Sequence, residues 1–287
     1  MSAQILDGKA LAEQIKNELK DKVVALKAKI KRAPGIAVVL VGENPASQVY
    51  VKSKLKSAAD IGVESFAYRL PGDITEAALI AQIQMLNANP NIDGILVQLP
   101  LPKHINADKA LAHVLASKDI DGFHIENIGR LALKLPGLHP CTPKGVMTLL
   151  RHYVGDVTGL NAVVVGASNI VGRPMMLELL NARCTVTICH RATKSLQAET
   201  LRADLIIAAA GVPHIIDDTM VKPGAIVVDV GIHRLDNGTL TGDVHFEKVA
   251  PIASWISPVP GGVGPMTVAT LMQNLILATE MSHHAAH

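Results

Sequence analysis

Apolar residues recur at helical spacing near the start of the chain: Ala10, Leu11, Ile15, Leu19, Val23, Leu26 and Ile30. Residues three and four apart share one helix face, so the spacing predicts a helix over 7–30, broken by Pro34-Gly35. The periodicity then disappears. Positions 36–41 form an unbroken apolar run, as expected of a strand buried on both faces of a parallel sheet. A helix over 46–61 ended by Gly62, an alternating strand over 64–70, a helix over 75–86 and a strand over 94–99 follow. Strands alternating with helices predict an α/β unit with parallel strands.

Beyond Pro100-Leu101-Pro102 the pattern loosens, with one helix predicted over 108–115 and turns elsewhere up to 137. A helix over 145–153 leads into a second alternation. Its strands are predicted at 162–165, 185–188, 205–209 and 225–230, with helices over 170–181 and 196–202 between them. This is the rhythm of a doubly wound unit. A long apolar helix over 266–281 closes the chain.

Composition narrows the function classes. With 287 residues, 49% hydrophobic and 18% charged, the chain has ample material for two cores and does not read as disordered. Only 2% of residues are aromatic, so those cores must be aliphatic. The net charge of +2 and the lack of a basic block interleaved with aromatics argue against nucleic-acid binding. No apolar stretch reads as a membrane span, and the N-terminus lacks the features of a signal peptide. Cys141, Cys184 and Cys189 form neither a CxxC pair nor a disulfide framework, which points to a reducing cytoplasm. The tail from His283 to His287 reads as a disordered polar end, and no ligand cluster suggests a metal.

The candidate chemistry begins at Gly166-Ala167-Ser168-Asn169-Ile170-Val171-Gly172, which follows a Val-rich run and opens a predicted helix. Glycine permits the tight turn, and N–H groups at a helix start hold pyrophosphate, with Ser168 able to add a hydroxyl hydrogen bond. A nicotinamide dinucleotide is the expected ligand. An NAD site would place an acid about twenty residues further on. Here the next strand ends in Cys189-His190-Arg191, and a cation suits a 2′-phosphate, so NADP is expected over NAD.

In the first unit, Tyr50 and Lys54 stand four apart within Tyr50-Val51-Lys52-Ser53-Lys54 and share a helix face. Gln98 ends a predicted buried strand in Val97-Gln98-Leu99, where open α/β sheets place ligands. Asp121 precedes Gly122 in a sequence that also reads as an Asp-Gly turn. The glycine density of Pro260-Gly261-Gly262-Val263-Gly264 is costly to order, and close approach of backbone to a ligand is the expected reason.

Taken together, the segments 42–54, 93–102, 119–124, 140–145, 166–174 and 258–267 closely resemble the bifunctional methylenetetrahydrofolate dehydrogenase/cyclohydrolase family, in order and over nearly the whole chain. The resemblance implies two α/β domains flanking a cleft. A catalytic, folate-binding domain would cover 1–138 and a Rossmann-type NADP domain 139–265, with the helix over 266–287 packing back on the first. It implies catalysis by Lys54, supported by Gln98, with Tyr50 stacking on the folate and Asp121 anchoring the pterin. Residues 50–54, Val97 to Leu99 and the 260–264 backbone would contact substrate. Gly166, Ala167, Ser168, Arg191, Gly231 and Ile232 would hold NADP, and members are typically homodimers. Many relatives carry Arg where this chain has Ala167, which throws the 2′-phosphate onto Arg191. Ile125-Glu126 also departs from some relatives, at the pocket edge.

The implied chemistry is hydride transfer from 5,10-methylenetetrahydrofolate, followed by hydrolysis of the methenyl cation to 10-formyltetrahydrofolate with Lys54 as general base. A dehydrogenase without the hydrolase step and a non-catalytic nucleotide sensor are the alternatives. Retention of Lys54 and Gln98 argues against the first. The sensor would leave Tyr50, Lys54 and Asp121 without a purpose.

Overall fold

The computed structural model describes residues 2–285. The first part of the chain runs β1 (Gln4–Ile5), α1 (Gly8–Ile30), β2 (Gly35–Val41), α2 (Pro45–Asp60), β3 (Glu64–Leu70), α3 (Glu76–Ala88) and β4 (Gly94–Val97). Helices α4 (Ala107–Leu111), α5 (Ile125–Ala132) and α6 (Cys141–Tyr153) follow. Next come β5 (Asn161–Val165), α7 (Gly172–Asn181), β6 (Thr185–Cys189), α8 (Leu196–Thr200), β7 (Leu205–Ala208) and β8 (Ile226–Asp229). The chain ends with β9 (His233–Arg234), β10 (Leu240–Thr241), α9 (Phe246–Val249), β11 (Trp255–Ile256) and α10 (Val263–Ala285).

Two compact units result. One holds Glu13–Cys141 and the chain from Val268 onward. Its sheet has the order β3-β2-β4, all parallel. Every residue of the central strand β2 is buried, as its unbroken apolar run predicts. Val39 and Val97 pack with Leu79, Ile83 and Leu86 of α3 in an aliphatic core. Asn274 of α10 donates from Nδ2 to the carbonyls of Ile120 (2.9 Å) and His139 (2.8 Å), tying the last helix into this unit.

The other unit holds the chain up to Ala12 and Thr142–Thr267. Its six strands are all parallel in the order β1-β11-β8-β7-β5-β6, and β9 pairs with β10 as a separate antiparallel hairpin. Val163, Val165, Ile206, Ala208 and Val227 of the central strands join one aliphatic core. Here β1 is the edge strand: Gln4 pairs with Trp255 and Ile5 with Ile256. At two residues, β1 is too short for a periodicity argument to detect.

Several elements differ from the sequence expectation. Helix α5 arises where only turns were predicted. It is short, contains Gly129, and is capped by the His124 imidazole, which accepts from Glu126 N at 3.1 Å, rather than by Ser, Thr, Asp or Asn. Helix α6 starts at Cys141, earlier than predicted, because Pro143 falls within its first turn, where no intrahelical N–H partner is needed. Helix α10 runs to Ala285, so His283 and His284 are helical and not part of a disordered tail; Ala286 and His287 lie outside the described residues. Among the described residues no helix is long and apolar enough to cross a membrane, and the three cysteines are buried and form no disulfide.

One tie closes the amino ends of β2 and β4. Asp93, only 5% exposed, accepts from both terminal nitrogens of Arg32 (2.6 and 2.7 Å) and from Gly35 N (2.8 Å). Removing one partner of such a pair strands the other. Asp93→Ala is expected to lower the unfolding free energy by about 3 kcal/mol in urea titration; a loss under about 0.5 kcal/mol, the size typical of neutral surface changes, would show the tie to be idle.

Candidate active site

Helix α2 is started by Asn44, whose Oδ1 accepts from Ser47 N at 3.0 Å, with Pro45 in the first turn. Its helical spacing places Tyr50 and Lys54 on one face. Tyr50 is 39% exposed, whereas Lys54 is 9% exposed. A lysine so enclosed needs a partner. It has one: Lys54 Nζ donates to Gln98 Oε1 at 3.1 Å.

Gln98 follows β4 at its carboxyl end. Its own N–H continues the ladder to Val39 O (2.9 Å), and its Nε2 donates to Leu99 O (2.6 Å). The second bond orients the carboxamide so that its oxygen faces Lys54. Partial burial also raises the Tyr50 phenol above its ordinary value.

Asp121 completes this group. The Asp-Gly turn is real: Gly122 has φ +80°, and its N–H donates to Asp119 O at 3.1 Å and to Asp119 Oδ1 at 3.2 Å. A side chain at Gly122 would meet the His139 carbonyl carbon at 2.4 Å, so only glycine lets the loop lie this close to its neighbour. Asp119, 6% exposed, also accepts from His124 N (2.7 Å) and Asn127 Nδ2 (3.0 Å), which fixes the loop that carries Asp121. Asp119 was not singled out as a site residue; its signal is a second carboxylate two positions before Asp121. Asp121 is half-buried as a residue, but its carboxyl is desolvated, and that raises it to about 6. The Lys54 ammonium opposes the rise and the Asp119 carboxylate adds to it.

The remaining predicted substrate residues divide by exposure. Val51 and Val97 are buried core residues, so their side chains are committed to packing. Lys52 and Ser53 are exposed, and Leu99 is half-buried.

Residues 260–264 belong to the unit with the six-stranded sheet. Their glycines have separate causes. Gly261 has φ +107°, and a Cβ on Gly262 would stand 2.6 Å from Pro258 O. Gly8 presses on the same turn, where its Cβ would lie 1.8 Å from Gly262 O. A positive φ at Gly261 and chain packing at Gly262 are thus each sufficient reason for a glycine, beside the ligand approach expected from sequence. Gly264 alone has open space around its missing side chain, and helix α10 begins at Val263, so Val263 and Gly264 lie in its first turn.

In the same unit, Gly166 follows β5 with φ +122°, and a Cβ there would meet Ala209 O at 2.0 Å. Gly172 starts α7 so close to the turn that its Cβ would lie 2.0 Å from Gly166 O. Ala167 is half-buried, while Ser168, Asn169 and Ile170 are exposed ahead of the helix. Ser168 Oγ accepts from Val171 N (3.2 Å) and Gly172 N (3.3 Å), so its acceptor side is turned to the helix and its O–H remains to face a ligand. Arg191 is exposed just past β6, and no carboxylate occurs from Cys189 to Ala198. Gly231 N donates to Asp229 Oδ1 at 2.9 Å, and Ile232 is 47% exposed. The tight glycine turn, the helix start and the open loops after β6 and β8 fit a dinucleotide.

Two family models match the chain: the catalytic domain of tetrahydrofolate dehydrogenase/cyclohydrolase over residues 6–121, and the NAD(P)-binding domain of the same enzymes over 140–283. The chain belongs to the tetrahydrofolate dehydrogenase/cyclohydrolase family. Lys54, Gln98 and Asp121 fall in the catalytic match, and Gly166, Arg191 and Gly231 in the NAD(P)-binding match. Among solved structures, the bifunctional methylenetetrahydrofolate dehydrogenase/cyclohydrolase of Campylobacter jejuni is 52% identical with a TM-score of 0.96, covering 98% of this chain and 100% of that one. A 5,10-methylenetetrahydrofolate dehydrogenase from the silkworm, Bombyx mori, is 44% identical with a TM-score of 0.92, over 98% and 99% of the two chains. The Trypanosoma brucei dehydrogenase-cyclohydrolase, crystallised with NADP and an inhibitor, is 36% identical with a TM-score of 0.95, over 99% of each.

The Asp121 carboxyl should titrate near pH 6 when followed by carbon-13 NMR. Because this lies above the ordinary 3.8, folding takes up a proton between about pH 4 and 6, and the carboxyl's contribution to stability falls as pH rises through that window. Lys54→Met removes the opposing cation and should move the midpoint upward. A wild-type midpoint near 4 would mean that water reaches the carboxyl freely.

Proposed function

We propose that this enzyme oxidises 5,10-methylenetetrahydrofolate with NADP and hydrolyses the resulting methenyl cation to 10-formyltetrahydrofolate, with Lys54 as the base in the second step. The observation that carries the reading is the enclosed Lys54 Nζ, held at 3.1 Å by Gln98 Oε1, with the Asp121 carboxyl near enough to feel its charge. The family membership supplies the substrate class.

When bound, NADP supplies the hydride acceptor for the first step, which requires no protein base. The chain's own contribution there is placement. Tyr50, still 39% exposed, offers a ring face to a flat ligand, and Asp121 offers a carboxylate to a pterin's amino group and ring nitrogen. In the second step a water oxygen bonds to the methenyl carbon, and the proton it loses passes to the free-amine form of Lys54. Breaking one carbon–nitrogen bond of the adduct, with that proton delivered to the leaving nitrogen and the adduct's hydroxyl proton released to solvent, gives the formyl product and one net proton. Gln98 accepts from Nζ and so aims the lysine.

A preference for NADP over NAD rests on Arg191 and on the lack of a carboxylate between Cys189 and Ala198. The glycine turn and helix start at 166–172 would take the pyrophosphate, and Gly231-Ile232 would lie beside the nicotinamide. Assembly as a cytoplasmic homodimer follows the family resemblance.

Purified enzyme should reduce NADP with 5,10-methylenetetrahydrofolate and, in a separate assay, accelerate the loss of methenyl absorbance. Oxidation alone would leave a monofunctional dehydrogenase, and neither signal would leave a nucleotide-binding module. Lys54→Met should slow the hydrolysis at least about a hundredfold, the lower range for a lost acid–base group, and retain more of the oxidation. Equal losses in both would make Lys54 a positioning residue instead.

A further inference from the structure

The loops after β7 and β8 are joined by a buried side chain outside the proposed cofactor contacts. Asp243 is 0% exposed. Its Oδ2 accepts from Ala210 N (2.6 Å) and Gly211 N (2.9 Å), in the turn that follows β7. Its Oδ1 accepts from His233 Nε2 (2.7 Å), at the start of the hairpin that follows β8. An ionised carboxylate only accepts, so this imidazole carries its proton on Nε2.

A second buried carboxylate holds the first. Asp229, 3% exposed at the end of β8, accepts from Asp243 N, Val244 N and Gly231 N, each at 2.9 Å. Ser257 Oγ accepts from Asp229 N at 2.7 Å. Burial raises the Asp229 carboxyl to about 6, with the neighbouring Asp243 charge adding to the rise. The two carboxylates lie hard against backbone. A Cβ on Gly231 would stand 2.2 Å from Asp243 Oδ1, and one on Gly242 would stand 1.9 Å from Asp229 Oδ2.

The contacts extend to the glycine turn. The nearest atoms to a Cβ built on Gly166 are the carbonyl of Ala209 and the nitrogen of Ala210, which is the nitrogen that Asp243 holds. One buried side chain thus bears on the turn after β5 through residues 209–210, on the turn after β7 directly, and on Gly231 and His233 after β8.

We propose that Asp243, capped by His233, is the positioning residue that sets these three loops at the spacing a nicotinamide dinucleotide requires. Neither side chain is a cofactor ligand; both act through backbone. The inference rests on the reading that these loops receive the dinucleotide. It also gives the pair a role distinct from a core tie, which would change stability and both activities together.

The test uses His233→Ala, His233→Gln and Asp243→Asn in the full-length enzyme. NADP affinity by calorimetry, the KM for NADP and the cofactor-free methenyl hydrolysis would be measured for each. His233→Ala should weaken NADP binding about tenfold, the loss of one charge-assisted hydrogen bond, while methenyl hydrolysis stays within about twofold. Glutamine keeps a donor for Oδ1, so His233→Gln should recover much of the affinity. Asp243→Asn, if folded, should weaken NADP at least as much as His233→Ala. Unchanged NADP affinity in His233→Ala and in folded Asp243→Asn would overturn the proposal. So would parallel losses of hydrolysis and NADP binding in His233→Ala, which would show a general structural role. Failure of the wild-type enzyme to bind NADP or NAD would instead remove the reading of the loops themselves.

Discussion

The constraint on which the site depends is the dryness of the parallel strands. All of β2, β4, β7 and β8 are buried, as is β5 beyond its first residue. A strand covered on both faces by aliphatic side chains has no place for a charged or ligand-binding group along its length. Polar chemistry is confined to strand ends, and in parallel sheets the loops at the carboxyl ends gather on one edge. Gln98 follows β4, Gly166 follows β5, Arg191 follows β6 and Gly231 follows β8. Helix α2, which carries Tyr50 and Lys54, begins just after the carboxyl end of β2.

At those ends burial has unequal consequences for two aspartates whose carboxyls both rise to about 6. Asp229 accepts three backbone N–H groups and serves as a brace between loops. Asp121 lies near the ammonium of Lys54, and its neighbour Asp119 takes the loop's N–H donors. The same desolvation thus accompanies a scaffold in one unit and, by the proposed reading, a recognition group in the other. What separates them is whether the backbone has used the oxygens.

Much of this was legible in the chain. The run from Ile36 to Val41 and the Val-rich stretch before Gly166 specify buried strands through composition alone, and Tyr50 and Lys54 share a face through helical arithmetic. Gln98 could be placed at a strand end, but its bond to Lys54 joins residues 44 apart in sequence, which no local pattern encodes. The glycines of 260–264 were legible as a cost, but the packing that constrains Gly262 was not, because Gly8, which lies against it, is remote in the chain. Helix α5 was missed because a histidine cap and an internal Gly129 conceal it. Asp243 gave no signal beyond a lone acid after Gly242, since its side-chain partners come from two separate loops.

Asn274 has a consequence for synthesis. Its amide occupies the carbonyls of Ile120 and His139, groups translated more than a hundred residues before it. A ribosome delivers the β3-β2-β4 sheet first, then the whole six-stranded sheet except for β1, and only then the helix that completes the earlier unit. The nascent chain must therefore carry an open, partly satisfied first core throughout the translation of the second. The unit whose sheet is made first is finished last, and a message truncated before residue 274 would yield a chain with its larger sheet complete and its smaller one without its last helix.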